Sequence, residues 1–249
     1  MTRRFDQRTN VFNAEGRITQ IEYAIKAIKN SGPAMAVHFA DGILIATEKR
    51  GGSALLVPPK HGEKIFKIDE HLYLLVSGLV ADANYLIEYM RKAAQDHRYT
   101  FGTHVPLQQL VEELCDLKQA YTQSGGMRPF GNAFIFAGWD SVEGFQIFSS
   151  DPSGNMSAWR AIAQGANEEN SNNLLQEHFL ENLSAEAACE LLIRVIMQTL
   201  DTTQPDVGRI VVAKLVKDTF NPEAVRVEYL SEEEKRAFVE QINLKYKDK

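Results

Sequence analysis

Ala34-Met35-Ala36-Val37-His38-Phe39-Ala40-Asp41-Gly42-Ile43-Leu44-Ile45-Ala46 is the stretch that decides how this chain folds. Two apolar runs flank an Asp41-Gly42 turn signal, and that pattern predicts two strands joined by a tight hairpin. The residues before it read differently. Ile18, Ile21, Ile25 and Ile28 recur at helical spacing, so a helix over 17–30 precedes the hairpin.

Downstream, Ile65-Phe66-Lys67-Ile68 and Leu72-Tyr73-Leu74-Leu75-Val76 predict two more short strands. Helical periodicity then returns twice in succession. Ala83, Ile87, Met90 and Ala94 mark one helix, and Leu107, Leu110, Leu114 and Leu117 mark another that opens at Pro106. Strands resume at 133–137 and 145–148, bounded by Asp151-Pro152-Ser153-Gly154. Helices are expected near 167–179 and 184–200, then strands at 210–213 and 225–229, then a last helix opened by the capping box Ser231-x-x-Glu234. Strands in runs and helices in pairs are not the strand–helix alternation of a doubly wound parallel sheet. The expected class is α+β, with antiparallel sheets covered by helix layers. One domain spans 1–249, comprising a tail at 1–12, a front helix at 17–30, a sandwich at 33–230, and a C-terminal helix and tail at 231–249.

Composition narrows the function. Hydrophobic residues make up 44% of the 249 and charged residues 24%, which is a globular balance. The formal charge of -6 gives no electrostatic reason for a nucleic-acid or anionic-membrane partner. No apolar run approaches the ~20 residues of a membrane span. Cys115 and Cys189 fall in helical patterns, read as buried thiols, and suit a reducing compartment. The six histidines show no metal-ligand spacing, so no metal and no cofactor is expected. Gly125-Gly126 lacks the Lys-Ser/Thr that a phosphate loop requires. Trp139 and Trp159 read as core or interface packing.

Three segments carry a resemblance. Val11-Phe12-Asn13-Ala14-Glu15-Gly16-Arg17-Ile18-Thr19-Gln20-Ile21-Glu22-Tyr23-Ala24 is similar to the N-terminal signature of 20S proteasome α subunits. Tyr121-Thr122-Gln123 with Gly125-Gly126-Met127-Arg128-Pro129-Phe130-Gly131 resembles a second hallmark of that family, and Ser77-Gly78-Leu79-Val80-Ala81-Asp82-Ala83 a third. The stretch Cys115–Gln123, with Gly138-Trp139-Asp140, most resembles chains of the third ring position in eukaryotes, numbered four in the human scheme. The family fold is a four-layer αββα sandwich of the N-terminal nucleophile hydrolase type, with an extra front helix. The resemblance implies a non-catalytic structural and gating subunit of the outer ring. It would support ubiquitin-dependent degradation in cytoplasm and nucleus. Its partners would be neighbouring α subunits, β-ring subunits, regulatory caps or activators, and unfolded protein substrates passing through.

Site residues follow from that resemblance. The family's catalytic pattern, laid in register from Asp41-Gly42, puts Gly32 at the nucleophile's position, Glu48 at the carboxylate's and Lys64 at the lysine's. Glycine has no side chain to attack with, and an internal residue has no free amine to act as base. Lys64 also matches the lysine of the pocket that receives activator-tail carboxylates, with Leu79 and Gly32, or Ser31 in its place, as companions. An ammonium at a pocket mouth suits such a ligand; on residue type alone Lys64 reads as a solvated strand-edge lysine. Phe5, Asp6, Ala14 and Tyr23 match the gating cluster, Phe5 lacking the phenolic hydroxyl common there. Two rivals predict different things: an active N-terminal nucleophile hydrolase would be trimmed to a Thr, Ser or Cys at the first strand, and a stand-alone binding domain would be a monomer.

Overall fold

A helix comes first, α1 (Thr19–Lys29), followed by the hairpin strands β1 (Ala34–Phe39) and β2 (Gly42–Glu48). Phe39 sits opposite Gly42, so the connection is Ala40-Asp41 and Gly42 belongs to the strand. A Cβ at Gly42 would stand 2.1 Å from the Leu215 carbonyl oxygen, which explains the glycine by close backbone approach. The computed structural model describes residues 10–49, 55, 64–200, 202 and 205–245. It continues with β3 (Ile65–Asp69), β4 (Leu72–Gly78), α2 (Val80–Phe101), α3 (Leu107–Gln123), β5 (Asn132–Asp140), β6 (Gly144–Ser150), β7 (Met156–Trp159) and β8 (Ala161–Gln164). Then come α4 (Glu168–His178), α5 (Ala185–Thr199), β9 (Ile210–Lys217), β10 (Val225–Tyr229) and α6 (Glu232–Lys245).

Among the described residues the strands form two five-stranded sheets, ordered β10-β9-β2-β1-β8 and β3-β4-β5-β6-β7, with every pairing antiparallel. Side chains alternate across each strand, and both faces are buried. Ala34, Ala36, Ile43 and Ile45 meet Leu75, Ile135 and Ala137 between the sheets. Met35, Val37, Leu44 and Ala46 turn outward onto Leu192, Val195 and Ile196 of α5 and Val239 of α6. On the second sheet Leu74, Val76, Phe134 and Phe136 face Leu86, Met90, Leu110 and Leu114 of α2 and α3. The result is the expected αββα sandwich, and double-sided burial is why β1 and β2 read as unbroken apolar runs.

Several boundaries differ from the sequence reading. α1 begins at Thr19 because Asn13–Gly16 form a turn, in which Asn13 Oδ1 accepts from the amides of Glu15 and Arg17 and Gly16 adopts φ +73°. Pro106 caps α3 and is not its first helical residue. Strands β7 and β8 escaped the pattern: they have four residues each, are interrupted by exposed Arg160, and β7 carries no buried residue. Trp159 is exposed and hydrogen-bonds Ser149 Oγ at 2.8 Å, so the packing role expected of it does not hold within the chain. Trp139 packs against the inter-sheet core, with Lys217 Nζ 4.1 Å from its ring centroid. The Ser231 capping box forms as read: Glu234 N donates to Ser231 Oγ, and Ser231 N to Glu234 Oε2. Both cysteines are buried and free, and burial pushes their thiols up to about 11.

Lys118 is a buried charge that the helical pattern of Leu107, Leu110, Leu114 and Leu117 does not disclose. It lies fully buried in α3, donating to Asn132 O and Ser150 Oγ at 3.1 Å each, with Nζ 4.7 Å from the Phe134 ring centroid. Burial pulls its pKa down from 10.5 to about 8. Above that value the folded chain has released a proton that the unfolded chain keeps until about 10.5, so over this window stability rises with pH. Lys118→Met removes the effect. Urea unfolding at a series of pH values should therefore show the wild type gaining on the order of 3 kcal/mol over the variant between about pH 8 and 10.5. A flat difference would refute the assigned burial of charge.

Candidate functional site

The front helix α1 packs its buried Ala24 and Ile28 over the ends of β4 and β5, and Lys29 bridges to Glu169 and Glu168 of α4 at 3.0 and 3.4 Å. Ser31 closes the helix by donating both its amide and its hydroxyl to Ile28 O. The chain then passes Gly32 and enters β1. Ala166 N donates to Ser31 O, tying this turn to the segment after β8.

Three residues separated in sequence converge here. A Cβ built on Gly32 would lie 2.8 Å from Lys64 Nζ and 3.1 Å from Glu48 Oε2. Lys64 Nζ donates to Gly32 O at 3.0 Å, and Glu48 Oε1 accepts from Arg209 Nη2 at 2.6 Å. The site holds an ammonium and a carboxylate around a position with no hydroxyl, whose nitrogen is an amide. At residue 32 itself there is no side-chain nucleophile and no free amine of the kind an N-terminal nucleophile uses.

Lys64 is not the solvated strand-edge lysine that its residue type alone suggests. It is 4% exposed, because the residue just before β3 is drawn under the α1–β1 turn by the Gly32 carbonyl. Arg209 was not foreseen as Glu48's partner; only the pairing of β2 with β9 brings them together.

Asn10, the first described residue, donates through Nδ2 to the carbonyls of Tyr121, Ser124 and Met127 at 2.9–3.0 Å. The front segment is thereby docked on the loop after α3. The other two signature segments clasp each other beside it. Asp82 accepts from both guanidinium nitrogens of Arg128, at 2.5 and 2.7 Å, and from Gly131 N at 2.9 Å. The Arg128 hydrogen bonds hold the Asp82 carboxyl below its usual range. Leu79 caps α2, is about half exposed, and covers Gly131, where a Cβ would come within 2.6 Å of its Cδ1.

Of the expected gating residues, Ala14 lies exposed in the turn before α1, and Tyr23 is exposed on α1 with Lys26 Nζ 5.7 Å from its ring centroid. Phe5 and Asp6 lie outside the described residues. Arg17 pairs with Glu15 and, at 3.2 Å, with Glu22. Among the described residues no helix is long and apolar enough to cross a membrane. Metal-capable side chains gather elsewhere, at the far end of β3 from Lys64: Asp69, His71 and His104, donors that no local spacing in the sequence revealed.

Residues 28–215 match the family model described as proteasome subunit, and residues 5–27 match the N-terminal signature of A-type proteasome subunits. The chain is 46% identical over 203 residues to the alpha type-4-2 proteasome subunit of Oryza sativa subsp. indica, covering 82% of this chain and 81% of the relative. It is 44% identical, over the same shares, to the alpha type-4-A proteasome subunit of Arabidopsis thaliana. A probable alpha type-3 proteasome subunit of Schizosaccharomyces pombe is 40% identical over 219 residues, 88% of each chain. With the helix-covered end, the glycine at the would-be nucleophile and both family models in agreement, the chain belongs to the proteasome subunit family and is an α-type member of it.

Proposed function

We propose that this chain is a non-catalytic structural and gating subunit of the outer α ring of the 20S core particle. Gly32 carries the reading. It stands amide-bonded behind α1 where an active relative needs a free N-terminal hydroxyl residue, and the flanking Glu48 and Lys64 are tied to Arg209 and to the Gly32 carbonyl. Catalysis then belongs to β-ring partners. Assembly with neighbouring α subunits follows from relatives named as proteasome α subunits. Caps and activators would dock on the ring, and unfolded proteins delivered by ubiquitin-dependent routes would pass through it. Cytoplasm and nucleus are the compartments of that activity, and two buried free thiols suit their reducing conditions.

The gating assignment to Phe5, Asp6, Ala14 and Tyr23 rests on family resemblance, supported by the docking of Asn10 at the start of the described chain. The activator-tail assignment rests on Lys64, Leu79 and Gly32. An ammonium carries several donors, so its bond to Gly32 O is compatible with a carboxylate ligand.

Three measurements test these statements. Co-expression with its ring neighbours should place the chain in a high-mass particle by native mass spectrometry, one copy per ring; a lone 28.0 kDa species under those conditions would refute ring membership. In the assembled particle, Gly32→Thr should remain unlabelled by an electrophilic peptide probe and keep its full intact mass, because supplying the hydroxyl leaves the nitrogen acylated. Trimming to residue 32 with covalent labelling would revive the hydrolase alternative. In the same particle Lys64→Ala should weaken activator-stimulated peptide hydrolysis about tenfold or more, the loss of one charge-assisted contact.

A further inference from the structure

The turn between β3 and β4 and the loop between α2 and α3 bring together three donor groups whose present arrangement is electrostatically incomplete. A register shift between Lys67 and Asp69 bulges the end of β3 and turns Asp69 inward, where it is 6% exposed. His71 is 1% exposed, and His104 approaches from Gly102-Thr103-His104 with its ring centroid 4.7 Å from that of His71. One ligand atom from each of Asp69, His71 and His104 lies within 4.8 Å of the other two.

His71 makes the case. Its Nε2 is 2.9 Å from Val105 O, and a carbonyl only accepts, so Nε2 carries the hydrogen. The other ring nitrogen, Nδ1, is buried, without a hydrogen-bond partner, and 3.6 Å from the Asp69 carboxylate. A buried polar nitrogen without a partner is unfavourable, and a cation between it and the carboxylate would satisfy both. The groups are also held in place. Asp69 Oδ1 accepts from Glu70 N at 2.8 Å, and the His71 carbonyl accepts from Trp139 N at 3.0 Å.

We propose that Asp69, His71 and His104 bind a divalent transition-metal ion of the zinc class through Oδ2 and the two Nδ1 atoms. Zinc bonds of about 2.0–2.1 Å in a tetrahedron separate neighbouring donors by roughly 3.3 Å. Asp69 Oδ2 is already 3.1 Å from His104 Nδ1 and 3.6 Å from His71 Nδ1, so ligation needs chiefly a closure between the two rings. Binding moves the His104 hydrogen from Nδ1 to Nε2. There Glu70 Oε2 and Glu223 Oε2, each 3.8 Å away, are placed to accept it, as outer carboxylates do for metal-bound histidines. His71 has the same support from Val105 O. His71 and His104 also line a cavity of about 360 Å³, with Gln108, Glu143 and Gln146, which has room for a water as fourth ligand. The ion would clip the α2–α3 loop to the β3–β4 turn.

The test uses the full-length chain, free of any affinity tag, stripped with chelator and titrated with ZnCl2 or CoCl2 alone. Expected are one zinc per chain retained through desalting, visible absorption bands of four-coordinate cobalt, and a raised thermal midpoint with zinc. His104→Gln, a loop substitution, should weaken binding at least tenfold and abolish the midpoint shift, as should Asp69→Asn; His178→Gln on α4 should change neither. Failure to retain stoichiometric metal, or equal binding by wild type and His104→Gln, would overturn the assignment and leave Asp69–His104 as a proton-bridged pair.

Discussion

Burial of both sheets on both faces is the constraint from which the rest of the structure follows. Two stacked antiparallel sheets have two outer faces, and here those faces carry Met35, Val37 and Leu44 on one side and Leu74, Phe134 and Phe136 on the other. Each needs a helix layer, so the chain must supply helix pairs after strand runs, as its element order does. Small residues on the inner faces, Ala34, Ala36, Ala137 and Ala213, let the sheets approach. What the layers leave unsealed is an end of the sandwich, where the ends of β4 and β5, Lys64 and the start of β1 converge. That end is where α1 lies.

Covering the end changes chemistry without changing scaffold. The carboxylate of Glu48 and the ammonium of Lys64 still point toward the head of β1, but one is tied to Arg209 and the other bonds a backbone carbonyl. At Gly32 any Cβ would approach Lys64 Nζ at 2.8 Å, so a larger residue must displace the ammonium. The geometry has thus converted a would-be reaction centre into a brace that fixes the exit of α1. The three signature segments read from the sequence belong to the same brace: Asn10 on the α3–β5 loop, α1 over β4 and β5, and Asp82 on Arg128 and Gly131.

The legibility of this fold tracked how local its causes were. The β1–β2 hairpin, the paired helices and the Ser231 cap are set by residues within a few positions of one another, and each was readable. β7 and β8 were not, because short half-exposed strands carry too few apolar residues to alternate. The burial of Lys118 has no local signal, since nothing in α3 foretells that Asn132 O and Ser150 Oγ lie within reach of its ammonium. Gly32, Glu48 and Lys64 were aligned through family register, whereas the bond from Arg209 to Glu48 spans 161 positions and has no local signal. For Lys64 the position was readable but not its burial.

The Asp69–His71–His104 group shows the same limit in its sharpest form. Metal motifs are recognisable when one helix or turn presents the ligands at fixed spacing. Here a strand bulge supplies one donor, a turn the second and a loop beyond α2 the third, so no H-x-x-x-H spacing could disclose them. What reveals the site is an unsatisfied atom: His71 has one nitrogen committed to Val105 O and the other facing a carboxylate. A buried polar nitrogen left without a partner opposes folding by about 1–3 kcal/mol, a cost a folded chain tolerates when something offsets it. β3 therefore separates two clusters of opposite meaning. At its start the Lys64 ammonium bonds the Gly32 carbonyl; at its end an unpaired nitrogen marks where a cation would fit.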